Sequence, residues 1–143
     1  MPAIEPQRSV RRGRAAVEFY KDAFGAAELY RVGGTDEHEP VVALLGVGDA
    51  RFWVADEAPD QGNFSPESLQ GGGTVRLTLI VDDPRPLLAR AVELGATELA
   101  PLHDEHGWRL GRIRDPFGHP WEIGHPTGEW PPADGRAAIH EGE

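Results

Sequence analysis

Two stretches of this sequence share one pattern: SVRRGRAAVEFYKDAFGAAEL, residues 9–29, and IVDDPRPLLARAVELGATEL, residues 80–99. Each runs from a strand end through a short polar turn into an amphipathic helix, then a Gly-Ala step and a Glu-Leu strand start. The offset of about 70 residues is roughly half the chain, which marks an internal repeat. In the first copy Ala16, Phe19, Tyr20 and Ala23 fall at helical spacing, and Gly25 comes next as a left-handed stop. In the second, Leu87, Leu88, Ala91 and Val92 make the apolar stripe. Asp83 is placed to cap that helix, Pro84 suits its first position and Gly95 ends it.

The segment after each helix also repeats. VVALLGVGDARFWVA, residues 41–55, and RLGRIRDPFGHPWEIG, residues 109–124, both read as hairpins, turning at Gly48-Asp49 and at Asp115-Pro116-Phe117-Gly118. Each half is therefore β-α-β-β-β. Such a unit is too small to bury both faces of its sheet. The expected fold is α+β: paired βαβββ modules forming a curved, partly open barrel-like sheet, with helices on the convex face and a concave ligand face. Module one spans about 5–56 and module two about 74–126, within a single domain over 1–126. Residues 57–73, EAPDQGNFSPESLQGGG, read as a flexible linker, and 127–143 as a C-terminal tail with a local anchor at Trp130.

Composition narrows the function. Fourteen basic residues face 24 acidic ones among 143, for a net charge of −10. Nucleic acid as a partner is disfavoured, because phosphate binding needs a basic footprint. With no cysteine, disulfides, thiolate zinc sites and a Cys nucleophile are excluded. No apolar run reaches the roughly 18 residues of a membrane span. MPAIEPQRSVRRGR lacks the apolar segment of a secretion signal, so a cytoplasmic location is expected. No nucleophile elbow, P-loop or dinucleotide fingerprint is present.

The segments AAVEFYKDAFGAAE, VRLTLIVDD, ARAVELGATE and above all GRIRDPFGHPWEIGHP resemble the vicinal-oxygen-chelate superfamily. That group includes glyoxalase I, extradiol dioxygenases, fosfomycin-resistance enzymes and bleomycin-resistance proteins. The resemblance covers about residues 5–126 and implies paired βαβββ modules, often as a homodimer. It fixes the scaffold more firmly than the activity, since one scaffold hosts metal enzymes and metal-free binders. The family's metal enzymes take ligands from the first and last strand of each module. By that resemblance the four positions fall on Glu5, Trp53, Arg76 and Glu122. Only Glu5 and Glu122 can ligate; an indole has no ligating atom and a guanidinium repels a divalent cation.

Period-two alternation then places Glu5, Gln7, Ser9, Trp53, Arg76, Thr78, Ile80 and Glu122 in the cup and sends Arg8 toward the core. A buried Arg8 is explained if that strand lies at a sheet edge or if the register is off by one. Trp53 is either a stacking surface or interface packing, and Arg76 with Glu122 either touch ligand or form an ion pair. Trp108 and Arg109 are further contact candidates, and Phe64 closes over a ligand or pins the linker. His103-Asp104-Glu105-His106 reads as a polar loop, His119 as structural and His125 as a surface residue. The expected function is metal-free binding of a bulky aromatic small molecule, with antibiotic sequestration of the bleomycin-resistance type and no cofactor. The alternative is a metal-dependent glyoxalase-type lyase, isomerase or dioxygenase, with Glu5 and Glu122 as ligands and His103 or His106 folding in. A metal-free enzyme using Glu5 or Glu122 as base is a third possibility.

Overall fold

A computed structural model describes residues 2–133. Two compact units result. The first holds the described residues up to Thr74 together with Pro116–His119; the second holds Val75–Asp115 and the described residues from Pro120 onward.

In the first unit the chain runs β1 (Gln7–Val10), α1 (Gly13–Phe24), β2 (Ala27–Gly33), β3 (Val41–Val47) and β4 (Ala50–Asp56). The sheet order is β1-β4-β3-β2, with β1 parallel to β4 and the other pairs antiparallel. The predicted stripe of α1 is buried: Ala16, Phe19, Tyr20 and Ala23, joined by Val17 and Phe24. The inner residues Val41, Ala43, Leu45, Phe52 and Val54 are buried too, and Tyr20 meets Phe52 edge to face with ring centres 5.3 Å apart. Phe117, from the Asp-Pro-Phe-Gly turn, lies 6.0 Å from Phe19. Gly25 ends the helix at φ +69°, and its N–H donates to Lys21 O.

Arg12, at the helix cap, makes no side-chain cap bond. Asp56, at the end of β4, supplies the acceptor instead. Its Oδ1 accepts from Gly13 N–H at 3.1 Å and its Oδ2 from Val41 N–H at 2.7 Å, tying helix start to strand start.

Arg8 is buried, and β1 is indeed an edge strand. Its guanidinium is accommodated by His119. The His119 Nε2–H donates to Ser9 O at 2.8 Å, which leaves Nδ1 to accept from Arg8 Nη1 at 3.3 Å. The pairing requires the neutral tautomer with the proton on Nε2.

The 57–73 segment, expected to be flexible, is instead folded back onto this unit. Pro59–Gln61 form a 3-10 turn, Ala58 bridges Asn63, and Ser65 is fully buried. Glu57 accepts from Ser65 N–H at 2.9 Å and from the Ser68 hydroxyl at 2.8 Å. Gly and Ser content suggested a coil; Glu57 supplies the acceptor that orders it.

The second unit repeats the plan: β5 (Leu77–Ile80), α2 (Pro84–Glu93), β6 (Thr97–Glu105), β7 (Trp108–Arg114) and β8 (Pro120–Pro126), in the order β5-β8-β7-β6. Asp83 accepts from Arg85 N–H at 3.2 Å as the predicted cap. β5 begins at Leu77, so Val75 and Arg76, expected in the strand, lie before it. The core side carries Ala91, Ile113, Trp121 and Ile123. The Trp121 indole donates to Asp115 at 2.9 Å. Gly111 sits under Leu88, where a β-carbon would come within 2.9 Å of the leucine side chain. His103, Asp104 and Glu105, expected in a loop, form the end of β6, and only His106 lies in the turn. The predicted anchor at Trp130 is present: its ring packs edge to face on Trp108, centres 4.8 Å apart. Residues 134–143 of the predicted tail lie outside the described residues.

Among the described residues no helix is long and apolar enough to cross a membrane. Asp56→Ala leaves two N–H groups without their acceptor, a loss of about 1–3 kcal/mol. Urea unfolding followed by far-UV circular dichroism is expected to show a lower midpoint with an unchanged slope.

Candidate functional site

The site is built by alternation along β7. Gly111 and Ile113 point toward α2, so Trp108, Leu110 and Arg112 point away from it. The ladder sets Thr78 beside Glu122 and Glu122 beside Arg112, all on that same face. Thr78, Ile80, Glu105, His106, Trp108, Leu110 and Glu122 line a cavity of about 340 Å³.

On the same face, Arg112 bridges two carboxylates. Its Nε donates to Glu122 Oε2 at 2.9 Å, and its Nη2 donates to Glu105 Oε2 at 2.7 Å and Oε1 at 3.2 Å. Glu122 Oε1 accepts from the Thr78 hydroxyl at 3.3 Å and lies 3.4 Å from Arg76 Nε. The Glu122 side chain is only 14% exposed whereas Arg76 is 51% exposed, so Arg112 is the closer and better shielded partner. The His103 imidazole lies 3.6 Å from Glu105.

Burial alone would raise the Glu105 carboxyl. Attraction to the Arg112 guanidinium and the hydrogen bonds it donates outweigh this and hold the carboxyl below its ordinary value. Arg112 in turn holds its proton more tightly, chiefly through its hydrogen bond to Glu122.

Of the residues expected to bind ligand, Thr78, Trp108 and Glu122 meet at this cavity, and Arg76 forms the anticipated ion pair with Glu122. Arg109 does not join them. Adjacent residues of a strand face opposite ways, so Arg109 lies on the α2 side and pairs with Asp104 at 2.8 Å. His125 makes a local contact, its Nδ1 lying 2.8 Å from Pro126 O.

Trp53, Gln7, Ser9, Phe64 and Glu5 belong to the first unit. There the Trp53 indole N–H donates to Glu5 Oε1 at 3.0 Å, and Arg51 Nε reaches Glu5 Oε2 at 2.9 Å. Tyr30 packs edge to face on Trp53 at 6.0 Å, Gln7 is paired with Trp53 in the ladder, and Phe64 is exposed. This unit also carries a hollow of about 770 Å³ beside the start of α1, lined by Arg11, Arg12, Arg14, Glu37, Glu39 and Asp56 among others. Two of its arginines are spent on neighbours: Arg11 on Glu57, Arg12 on Glu67.

Sequence reasoning missed Glu105, Leu110 and Arg112. The signal for two of them was available: Leu110 and Arg112 alternate with Trp108 in WRLGR. Among the described residues no group of three or more His, Asp or Glu is placed to hold a metal ion. Both candidate ligand carboxylates are already engaged by guanidinium groups, a donor set poorly suited to a divalent ion.

Because the folded value of Glu105 lies below its ordinary 4.5, its stabilising contribution is complete well above that pH. It is lost as pH falls through the folded value. The stability gap between wild type and Glu105→Gln, measured by denaturant unfolding at pH 7, 5, 4 and 3, is expected to narrow only below about pH 4.5.

Several known proteins are similar to this chain. An uncharacterised protein of Mycobacterium bovis is 36% identical over 132 residues, covering 90% of this chain and 86% of its own length. A solved Arabidopsis thaliana protein superposes with a TM-score of 0.64 at 28% identity, over 86% of this chain and 96% of that one. The fosfomycin resistance protein FosX of Mesorhizobium loti, at 17% identity and a TM-score of 0.64 over 90% of this chain and 93% of its own, shares the fold. The sequence profile of the glyoxalase-like domain matches residues 8–124, and with this repeated βαβββ plan the chain belongs to the glyoxalase-like domain family of the vicinal-oxygen-chelate superfamily.

Proposed function

We propose that this chain is a small-molecule-binding protein that takes a bulky aromatic ligand on the open face of the β5-β8-β7-β6 sheet, without a divalent metal. One observation carries the reading: an indole, Trp108, walls a cavity whose shielded charges are already neutralised by one another. The volume of about 340 Å³ falls in the range of small-ligand pockets. Trp108, Ile80 and Leu110 supply apolar surface, and Trp130 braces the Trp108 ring from its edge. Stacking on a braced ring costs little ordering entropy. The Arg76–Glu122 and Arg112–Glu122 pairs stand where a metal enzyme of the superfamily would need unengaged ligands, which favours the metal-free reading over a glyoxalase-type reaction.

Sequestration is the role that binding without turnover would serve. A fosfomycin resistance protein of the same fold is consistent with a part in antibiotic protection. In the sequestration role, affinity alone protects.

Equilibrium titration of planar aromatic natural products, read by quenching of tryptophan emission, tests the reading. Trp108→Ala is expected to raise Kd about tenfold or more, equivalent to about 1.4 kcal/mol. Ligand recovered unchanged by chromatography after prolonged incubation is the expected sign of a binder. Accumulation of a product would overturn it in favour of an enzyme.

A further inference from the structure

The polar lining of the second-unit cavity is one-sided. Glu105 and Glu122 offer carboxylate oxygens, and Thr78 offers its hydroxyl oxygen, because its proton is committed to Glu122. Trp108 and His106 are the lining residues with side-chain N–H groups. No lysine or arginine is among the lining residues. Arg112, which pairs with both carboxylates, and Arg76, which lies 3.4 Å from Glu122, are not among the lining residues.

Each carboxylate has about four lone-pair sites, more than the bonds from Arg112 and Thr78 occupy, so acceptor capacity remains on the two side chains that line the cavity. An anionic ligand would meet two carboxylates at short range and no lysine or arginine in the lining. A protonated amine or amidine would meet carboxylate acceptors in the lining and an indole among them, whose ring quadrupole attracts cations. The net charge of −10 adds attraction at long range.

Resting on the binding reading above, we infer that the ligand class of this cavity is an organic cation: a flat or polycyclic apolar body carrying a protonated nitrogen, the nitrogen against the carboxylates of Glu105 and Glu122 where they line the cavity and the body against Trp108.

Two probes share one ring system and differ in charge at neutral pH. 9-Aminoacridine is a cation and acridine-9-carboxylate an anion. With the full-length chain, fluorescence titration is expected to show the cation binding at least tenfold more tightly. Trp108→Ala is expected to weaken the cation by about tenfold, and Glu105→Gln to shrink the cation-to-anion ratio severalfold. Trp108 is part-exposed, and far-UV circular dichroism verifies that its variant is folded, so the test survives if Glu105→Gln does not fold. If neither acridine binds, the binding reading itself fails. If both bind with equal affinity, or the carboxylate binds better, the cation assignment is overturned while the binding reading stands. If the cation is preferred but Trp108→Ala leaves its affinity unchanged, the preference belongs to the overall acidity of the chain and the assignment to this cavity is overturned.

Discussion

The candidate site depends on one contact, the guanidinium of Arg112 held between Glu105 and Glu122. Arg112 lies on β7, and the carboxylates come from β6 and β8, its two neighbours in the sheet. A side chain on the middle strand thus clips both flanking strands on one face. Two carboxylates this shielded would repel each other and shed water at high cost without a cation between them. With Arg112 in place, each carboxylate has a counter-charge, and both side chains form part of the cavity wall. The planar fork suits that duty in a way a lysine ammonium would not, because it donates in two directions from a fixed plane.

That arrangement needs the sheet to present one face to α2 and the other to the cavity, and glycine enforces this at one point. At Gly124, opposite Leu110, a β-carbon would strike the Arg109 carbonyl and the backbone of Leu110. A side chain there would push β7 from β8 and carry Glu122 away from Arg112. In the first unit the same plan ends differently. Glu5 is held by Arg51 and by the Trp53 indole, and Trp53 is itself covered by Tyr30. In both units the carboxylate that the superfamily resemblance expects to ligate has a guanidinium partner, supplied by different residues on different strands.

Much of this was legible in the chain itself. The two helices, their stops at Gly25 and Gly95, the cap at Asp83 and both hairpin turns rest on local rules, where the relevant neighbours lie within a few residues. Face assignments in β4, β5 and β8 were legible for the same reason, since a period of two needs no tertiary knowledge. Arg112 was not legible as a bridge, because its partners lie 7 and 10 residues away and an exposed arginine looks the same in sequence as a paired one. Arg109 was paired with Trp108 as a contact by adjacency, which is the relation a strand separates. The segment 57–73 looked like a coil because composition does not register that Glu57 finds the Ser65 amide. Trp53 was legible as lying opposite the helix face, but its indole N–H sought an acceptor, and Glu5 two residues before β1 met it.

The way the acid groups are neutralised governs what the face can do. A carboxylate paired from the solvent side is hidden from a ligand. Glu105 and Glu122 are paired by Arg112, which is not itself in the lining, and still contribute to the cavity wall. The face therefore presents negative character without the instability of a bare charge cluster. A divalent ion entering there would have to displace a guanidinium that makes three hydrogen bonds and carries the same sign of charge. On the proposed reading an organic cation would displace nothing, since it would share the carboxylates that line the cavity and gain the indole.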